Sequence, residues 1–243
     1  DREVWIAAGK SMSGECVLTS TQFPHPVVIT DVVPQKGQDS WVNYPLGVYN
    51  VLKDRGYPVR PFCMAIYSTV PLGAGVSSSA ALEVAAALAF AALFNLQIDP
   101  VEIAKICQKA ENTFVGANCG LLDQFSSMFG KAGHLLFIDF RSLDHETISM
   151  AGSEVTLAVT LSGVTHALVA GEYNSRRREC ADAAAFFGAR DPGVKALRDV
   201  SMTHLLAAKN ELAPLAFKRA LHVVGEDERV FTGMELLKKG DLA

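Results

Sequence analysis

The stretch on which the reading turns is Pro71-Leu-Gly-Ala-Gly-Val-Ser-Ser-Ser-Ala80. Just before it, Phe62 to Val70 is short, apolar and rich in β-preferring residues, and Pro71 stops it. Just after it, Ser77 to Leu96 is dense in Ala, Leu and Val without internal Gly or Pro, which predicts a long helix. A strand, a loop with two glycines and three serines, and a helix start make a setting for anion binding. Glycines at 73 and 75 let backbone amides approach a phosphate with no Cβ in the way. The unpaired N–H groups and positive dipole end of the helix face the same spot. Ser77, Ser78 and Ser79 add hydroxyls that can bind phosphate oxygens or Mg²⁺. The same residues also fit an ordinary glycine-rich turn with a serine N-cap. The loop is neither the GxxxxGKS/T phosphate loop, since it has no lysine, nor the dinucleotide GxGxxG.

Working outward, apolar Tyr44, Val48 and Val51 recur at helical spacing between Asn43 and Arg55, with Gly56 placed to end that helix. Asp99, Pro100 and Glu102 supply an N-cap, an N1 proline and an N3 acid, so another helix is predicted from Pro100 to about Phe114. Beyond it runs Glu111-Asn-Thr-Phe-Val-Gly-Ala-Asn-Cys-Gly-Leu-Leu-Asp-Gln-Phe125, with carboxylates 12 residues apart at Glu111 and Asp123. One near a helix end can hold Mg²⁺, and one among Leu122, Phe125 and Met128 can act as a base toward a hydroxyl. A surface acid and a helix N-cap are the structural alternatives for Glu111 and Asp123 respectively.

Residues 1–40 suggest strands joined by turns, with the β-branched run Pro26 to Val33. Gly133 to Phe140 reads as a strand, and the period-2 alternation from Val155 to Leu161 reads as a half-buried antiparallel strand. Helices are expected at Asn174 to Phe187, Gly193 to Val200 and Pro214 to Lys239, with Gly225 as a point where the last could break. The architecture predicted is α+β. The Gly and Ser around Met150 to Ser153 make that segment the candidate domain boundary.

Composition removes several classes. With 243 residues, 49% apolar and 20% charged at a net −4, disorder, collagen-like repeats and coiled coil are excluded. Length allows one or two domains at roughly 150 residues each. The apolar run Val84 to Phe94 is 11 residues, short of the ~20 a membrane span requires. The sequence therefore points away from a membrane. No strongly basic block provides a footing for nucleic acid, and Arg176, Arg177 and Arg178 read as a solvated helix face. Five scattered cysteines, without CxxC pairs, favour a reducing and thus cytoplasmic setting. No histidine stands at metal-ligand spacing and no Gly-x-Ser-x-Gly elbow occurs, which removes zinc and serine hydrolases.

Taken together these segments resemble the GHMP small-molecule kinases, and within them the members that act on galactose. Pro71 to Ala80 resembles the family's second, phosphate-binding motif. Cys119-Gly-Leu-Leu-Asp-Gln-Phe125, followed by Gly133-His-Leu-Leu-Phe-Ile-Asp-Phe-Arg-Ser-Leu143, is similar to the stretch around its catalytic aspartate. His166-Ala-Leu, Glu172-Tyr-Asn-Ser-Arg-Arg-Arg178, Trp41-Val-Asn-Tyr44 and His222-Val-Val-Gly-Glu226 match as well. The resemblance runs essentially from Asp1 to Ala243, with Val76 where the family usually has Leu.

The resemblance implies a two-domain fold, with a ribosomal-S5-like N-terminal domain over residues 1–152 and the start of a ferredoxin-like C-terminal domain over 153–243. It implies ATP-dependent phosphorylation of the C1 hydroxyl of galactose, with Mg²⁺ as cofactor, small molecules as the binding partners and no obligate protein partner. Carried across, Asp123 is the base, and Ser78 or Ser79 with Glu111 holds Mg²⁺. Gly73, Gly75, Ser77, Ser78 and Ser79 cradle the triphosphate, Trp41 lies near adenine, and Gly120, Asp123 and Tyr173 meet the sugar. N-acetylgalactosamine or arabinose as the sugar, and a non-catalytic sugar sensor, stay open. The family's first motif is expected before Asp1 and its third beyond Ala243. On that ground the chain is expected to be a central portion of a longer kinase with little or no turnover.

Overall fold

The computed structural model describes residues 2–150, 158–160 and 169–241, with the backbone alone for 169–174. The elements, in chain order, are strands β1 (Val4–Lys10), β2 (Cys16–Ser20) and β3 (Val27–Ile29), helix α1 (Asn43–Asp54), strand β4 (Phe62–Ser68), helices α2 (Ser78–Phe94), α3 (Pro100–Ala110) and α4 (Leu122–Phe129), strands β5 (His134–Ile138) and β6 (His145–Ser149), and helices α5 (Val169–Gly188), α6 (Met202–Ala207) and α7 (Pro214–Lys238). They form two compact units, one of Asp1–Ala132 with Leu136–Thr147 and the other of Gly133–Leu135 with Ile148–Ala243.

The first unit is built on a four-stranded sheet in the order β1-β4-β2-β3. β4 pairs antiparallel with β1, Ile66 opposite Ile6, and parallel with β2, Met64 opposite Leu18. A parallel pair needs a crossover, which here passes through β3 and α1. The pleat sorts β4 cleanly. Phe62, Met64 and Ile66 are buried, and Cys63, Ala65 and Tyr67 are exposed. The buried face joins α1, α2 and α3 in a core where Tyr49, Phe62 and Phe90 meet ring to ring, Phe62 and Phe90 edge-on at 4.7 Å between centroids. Gly47 permits a close approach between α1 and the end of α3, since a Cβ there would lie 3.1 Å from Phe114 Cβ and 3.2 Å from Ala110 Cβ.

Local chemistry explains most boundaries. Gly56 takes φ +81° and ends α1, and Asp99 accepts hydrogen bonds from the Val101 and Glu102 amides at the start of α3. The helix expected to reach Phe114 stops being α-helical at Ala110 and widens into a π-helical turn, Glu111–Val115, closed by Gly116 at φ +89°. Asp123 is not the N-cap of α4; Leu121 is, and Asp123 lies inside the first turn.

In the second unit α7 runs unbroken through Gly225, which is buried, so the expected break does not occur. The helix expected at Gly193 to Val200 is reduced to a 3-10 turn, Leu197–Asp199. Asp199 Oδ2 accepts from the Lys195 and Ala196 amides, and Asp191 Oδ1 from the Gly193 amide, which diverts these N–H groups into turns. α6 was not expected, although Ser201 supplies a standard cap by accepting from the His204 amide. Ala183, Leu205, Ala220 and Val224 form this unit's core. The alternating strand expected at Val155 to Leu161 falls outside the described residues, apart from 158–160, which are exposed; His166 also falls outside them. Among the described residues no helix is long and apolar enough to cross a membrane.

Candidate active site

The loop between β4 and α2 carries positive φ at Gly73 (66°), Gly75 (72°) and Ser77 (57°). Alternating left-handed residues turn successive amides toward one side, the arrangement of an anion-binding nest. A Cβ built on Gly73 would meet nothing within 4 Å, so the space over the loop is open. A serine at positive φ is strained, and such strain clusters at functional turns. Ser77 is the N-cap of α2 but its side chain caps nothing, which leaves the first turn's N–H groups for another partner.

A cavity of about 190 Å³ lies against this loop, lined among others by Gly73, Ser78, Ser79, Trp41, Tyr44 and Phe23. It brings together four residues expected from sequence: Trp41, Gly73, Ser78 and Ser79. Trp41 is buried and one of its faces is stacked on Phe23 at 4.9 Å. Phe23 was not singled out from sequence; nothing in its immediate neighbours marks it.

Glu111, Gly120 and Asp123 do not line that cavity. They belong to a second cluster, reached five residues further along α2 at Glu83, about 7.5 Å of helix rise from Ser78. Glu83 and Gln124 are fully buried and Glu111 nearly so. The Gln124 amide nitrogen donates to Glu111 Oε2 at 2.8 Å and to Glu83 Oε2 at 3.2 Å. Cys119 Sγ donates to the same Glu111 oxygen at 3.1 Å. The loop bearing Cys119 is folded back by Asn112, whose Oδ1 accepts from the Cys119 amide at 2.9 Å. Gly120 is exposed beside it.

The electrostatics tie the two clusters together. Burial first, then the neighbouring Glu111 carboxylate, push the Glu83 carboxyl up to about 9; Gln124's hydrogen bond opposes this, and Asp123 adds to it. Asp123 therefore lies close enough to α2 for its charge to be felt there. Burial, then its bond to Glu111, push the Cys119 thiol up to about 12. Tyr44 lines the cavity, and its hydroxyl is raised by burial and by the charges of Glu111 and Glu83. The sequence did carry a signal for Glu83, a lone acid at helical spacing among buried Ala80, Val84 and Ala87.

Tyr173 lies in α5, but its side chain is outside the described residues. Among the described residues no three His, Cys, Asp or Glu side chains gather to hold a metal. The donors that the cavity presents near α2's start are the Ser78 and Ser79 hydroxyls, hard oxygens of the kind Mg²⁺ takes alongside phosphate and water. In donor chemistry they fit that ion.

Comparison with known proteins finds sugar kinases among the similar chains. Residues 43–131 match the family model described as the GHMP kinases N terminal domain. Galactokinase of Haemophilus influenzae strain PittEE is 46% identical over 212 residues, 85% of this chain and 53% of that protein. Galactokinases of Glaesserella parasuis and a Roseiflexus species are 45% and 43% identical over similar spans. The crystal structure of Lactococcus lactis galactokinase complexed with galactose superposes with TM-score 0.85 at 27% identity, over 99% of this chain and 63% of that one. The chain spans about half the length of the curated relatives it matches. The matched segment opens at the first residue of α1 and closes just past α4, enclosing the serine loop, Glu83, Glu111 and Asp123. Over residues 43–131 this chain resembles the N-terminal domain of the GHMP kinases.

Proposed function

We propose that the protein transfers the γ-phosphoryl group of ATP to the anomeric C1 hydroxyl of galactose, giving galactose 1-phosphate and ADP. The observation that carries this reading is the placement of two chemistries on one helix. α2 opens on amides and hydroxyls suited to phosphate, and its second turn lies within electrostatic reach of the Asp123 carboxylate.

Phosphoryl transfer asks mainly for positioning and charge neutralisation, since charge in its loose transition state is spread over the equatorial oxygens. Gly73, Gly75 and the Ser77, Ser78 and Ser79 hydroxyls and amides would hold the triphosphate, with Trp41 toward the adenine. Asp123 would take the proton from the C1 hydroxyl as its oxygen attacks phosphorus. Ser78 or Ser79 with Glu111 would hold Mg²⁺, which when bound neutralises charge on the transferred group. Gly120 and Tyr173 would contact the sugar. In this reading residues 1–152 form the N-terminal kinase domain and 153–243 begin the C-terminal one. The cysteines, all free, suit a cytoplasmic enzyme.

The test is sugar-dependent ADP release by the full-length protein, with galactose, N-acetylgalactosamine and arabinose compared. Release driven best by galactose and lost in Asp123→Asn is the result expected. Preference for another of these sugars would replace the substrate. Tight sugar and ATP binding with no ADP release would overturn the kinase reading in favour of a sensor.

A further inference from the structure

The buried acid Glu83 has no part in the chemistry above, yet it occupies a core position that an apolar side chain would fill at less cost. We propose that Glu83 is a positioning residue for phosphoryl transfer, holding the first turn of α4, and with it Asp123, through the side chain of Gln124. The inference rests on the reading of Asp123 as the base.

α4 is only eight residues long and Leu121 gives it no side-chain cap, so its N-terminal turn needs anchoring from elsewhere. Two buried residues supply it. Phe125 packs against the rings of Phe129 and His145, which sets how deep the helix sits. Ring packing alone tolerates rotation about the helix axis. Gln124 removes that freedom, because its amide nitrogen is held between Glu83 of α2 and Glu111 of the π-helical turn. Asp123 is the neighbouring residue of the same turn, so its side chain inherits that orientation.

The hydrogen-bond count favours an acid at position 83. Two buried oxygens in the cluster, Glu83 Oε1 and Gln124 Oε1, have no partner among the described residues. A carboxyl group and a primary amide are complementary. The acid carbonyl accepts from N–H, as Glu83 Oε2 does, and the acid O–H can donate to the amide oxygen. The upward push on Glu83 favours the protonated form that such pairing requires. Leucine at 83 would leave both the Gln124 N–H and its oxygen short of a partner.

The test uses the full-length enzyme and compares Glu83→Leu, Glu83→Asp and Glu83→Gln, with thermal melts to establish folding. Glu83→Leu removes the acceptor, Glu83→Asp withdraws it by one methylene, and Glu83→Gln keeps length, volume and an accepting oxygen. The expected result is a kcat at least tenfold lower in the Leu and Asp variants, unchanged KM for ATP, and kcat within about threefold of wild type in the Gln variant. That split marks a lost transition-state alignment rather than lost binding. If the Leu variant does not accumulate folded, the Asp variant carries the same comparison. Wild-type kcat in the folded Leu or Asp variant, equal losses in all variants, or losses confined to KM would overturn the proposal. An inactive wild type would count against the kinase reading; an active wild type indifferent to position 83 would count against this proposal alone.

Discussion

Two turns of one helix differ sharply in what they do with polar groups. The first turn of α2 places Ser78 and Ser79 on the lining of an open cavity, after a loop with left-handed residues at Gly73, Gly75 and Ser77. The second turn seals a carboxyl among side chains, with one oxygen bonded and the other without a partner among the described residues. The difference teaches that the sheet and helices alone do not define the site. A largely apolar helix carries polar groups at two places, once beside an open cavity and once among buried neighbours.

The comparison can be broken most decisively at Asp123, the group that both turns are read as serving. Asp123→Asn should lower sugar-dependent ADP release by about 10³-fold, within the usual span for a lost general base, while sugar binding by calorimetry stays close to wild type. Retention of more than a tenth of the activity would detach Asp123 from the chemistry.

Ser78→Ala tests the open turn. Losing one hydrogen bond to a charged group removes about 1.5 kcal/mol, so kcat/KM for ATP should fall roughly tenfold, with Tm nearly unchanged. A large drop in Tm without loss of activity would make Ser78 a structural cap instead.

The sealed turn makes a prediction with a definite sign. Glu83's folded value of about 9 lies above its ordinary 4.5, so between these pH values the native state binds more protons than the unfolded chain. Its contribution to stability is fully present below about 4.5 and is lost as pH rises toward 9. Urea melts of the full-length protein from pH 6 to 8 should show wild type losing up to about 1.4 kcal/mol per pH unit relative to Glu83→Gln, which has no titrating group there. Parallel curves would mean that Glu83 does not hold its proton.

A labelling rate, which touches neither activity nor stability, is the last check. Cys119, pushed up to about 12, should react with iodoacetamide at pH 8 at least ten times more slowly than exposed Cys63.

The sequence made the scaffold legible wherever punctuation was local. Gly56 and the Asp99-Pro100 start mark helix ends through chemistry confined to a few residues, and the structure places them as expected. The serine loop was equally visible. Less was readable where one element answers another far along the chain. Periodicity continues past Ala110, and nothing in it announces the π-helical turn that aims Glu111. Asp123 looked like a cap because Asp usually is one, whereas Gln124's two acceptors hold that turn from 41 and 13 residues away. The same applies at Gly193 to Val200, where apolar spacing suggests a helix and two aspartates draw the amides into turns. Glu83 itself was legible only as an oddity, since its meaning depends on partners that folding brings in.

Ser77 has a consequence of its own. Its left-handed backbone would suit glycine better, by roughly 1 kcal/mol or more, so the surrounding fold must hold the bend. On the proposed reading, a bend held by the fold would spare a nucleotide part of the cost of arranging its seat. On that same reading, replacing Ser77 with glycine would relax the bend and loosen the seat together, giving a sturdier protein with a weaker grip on nucleotide.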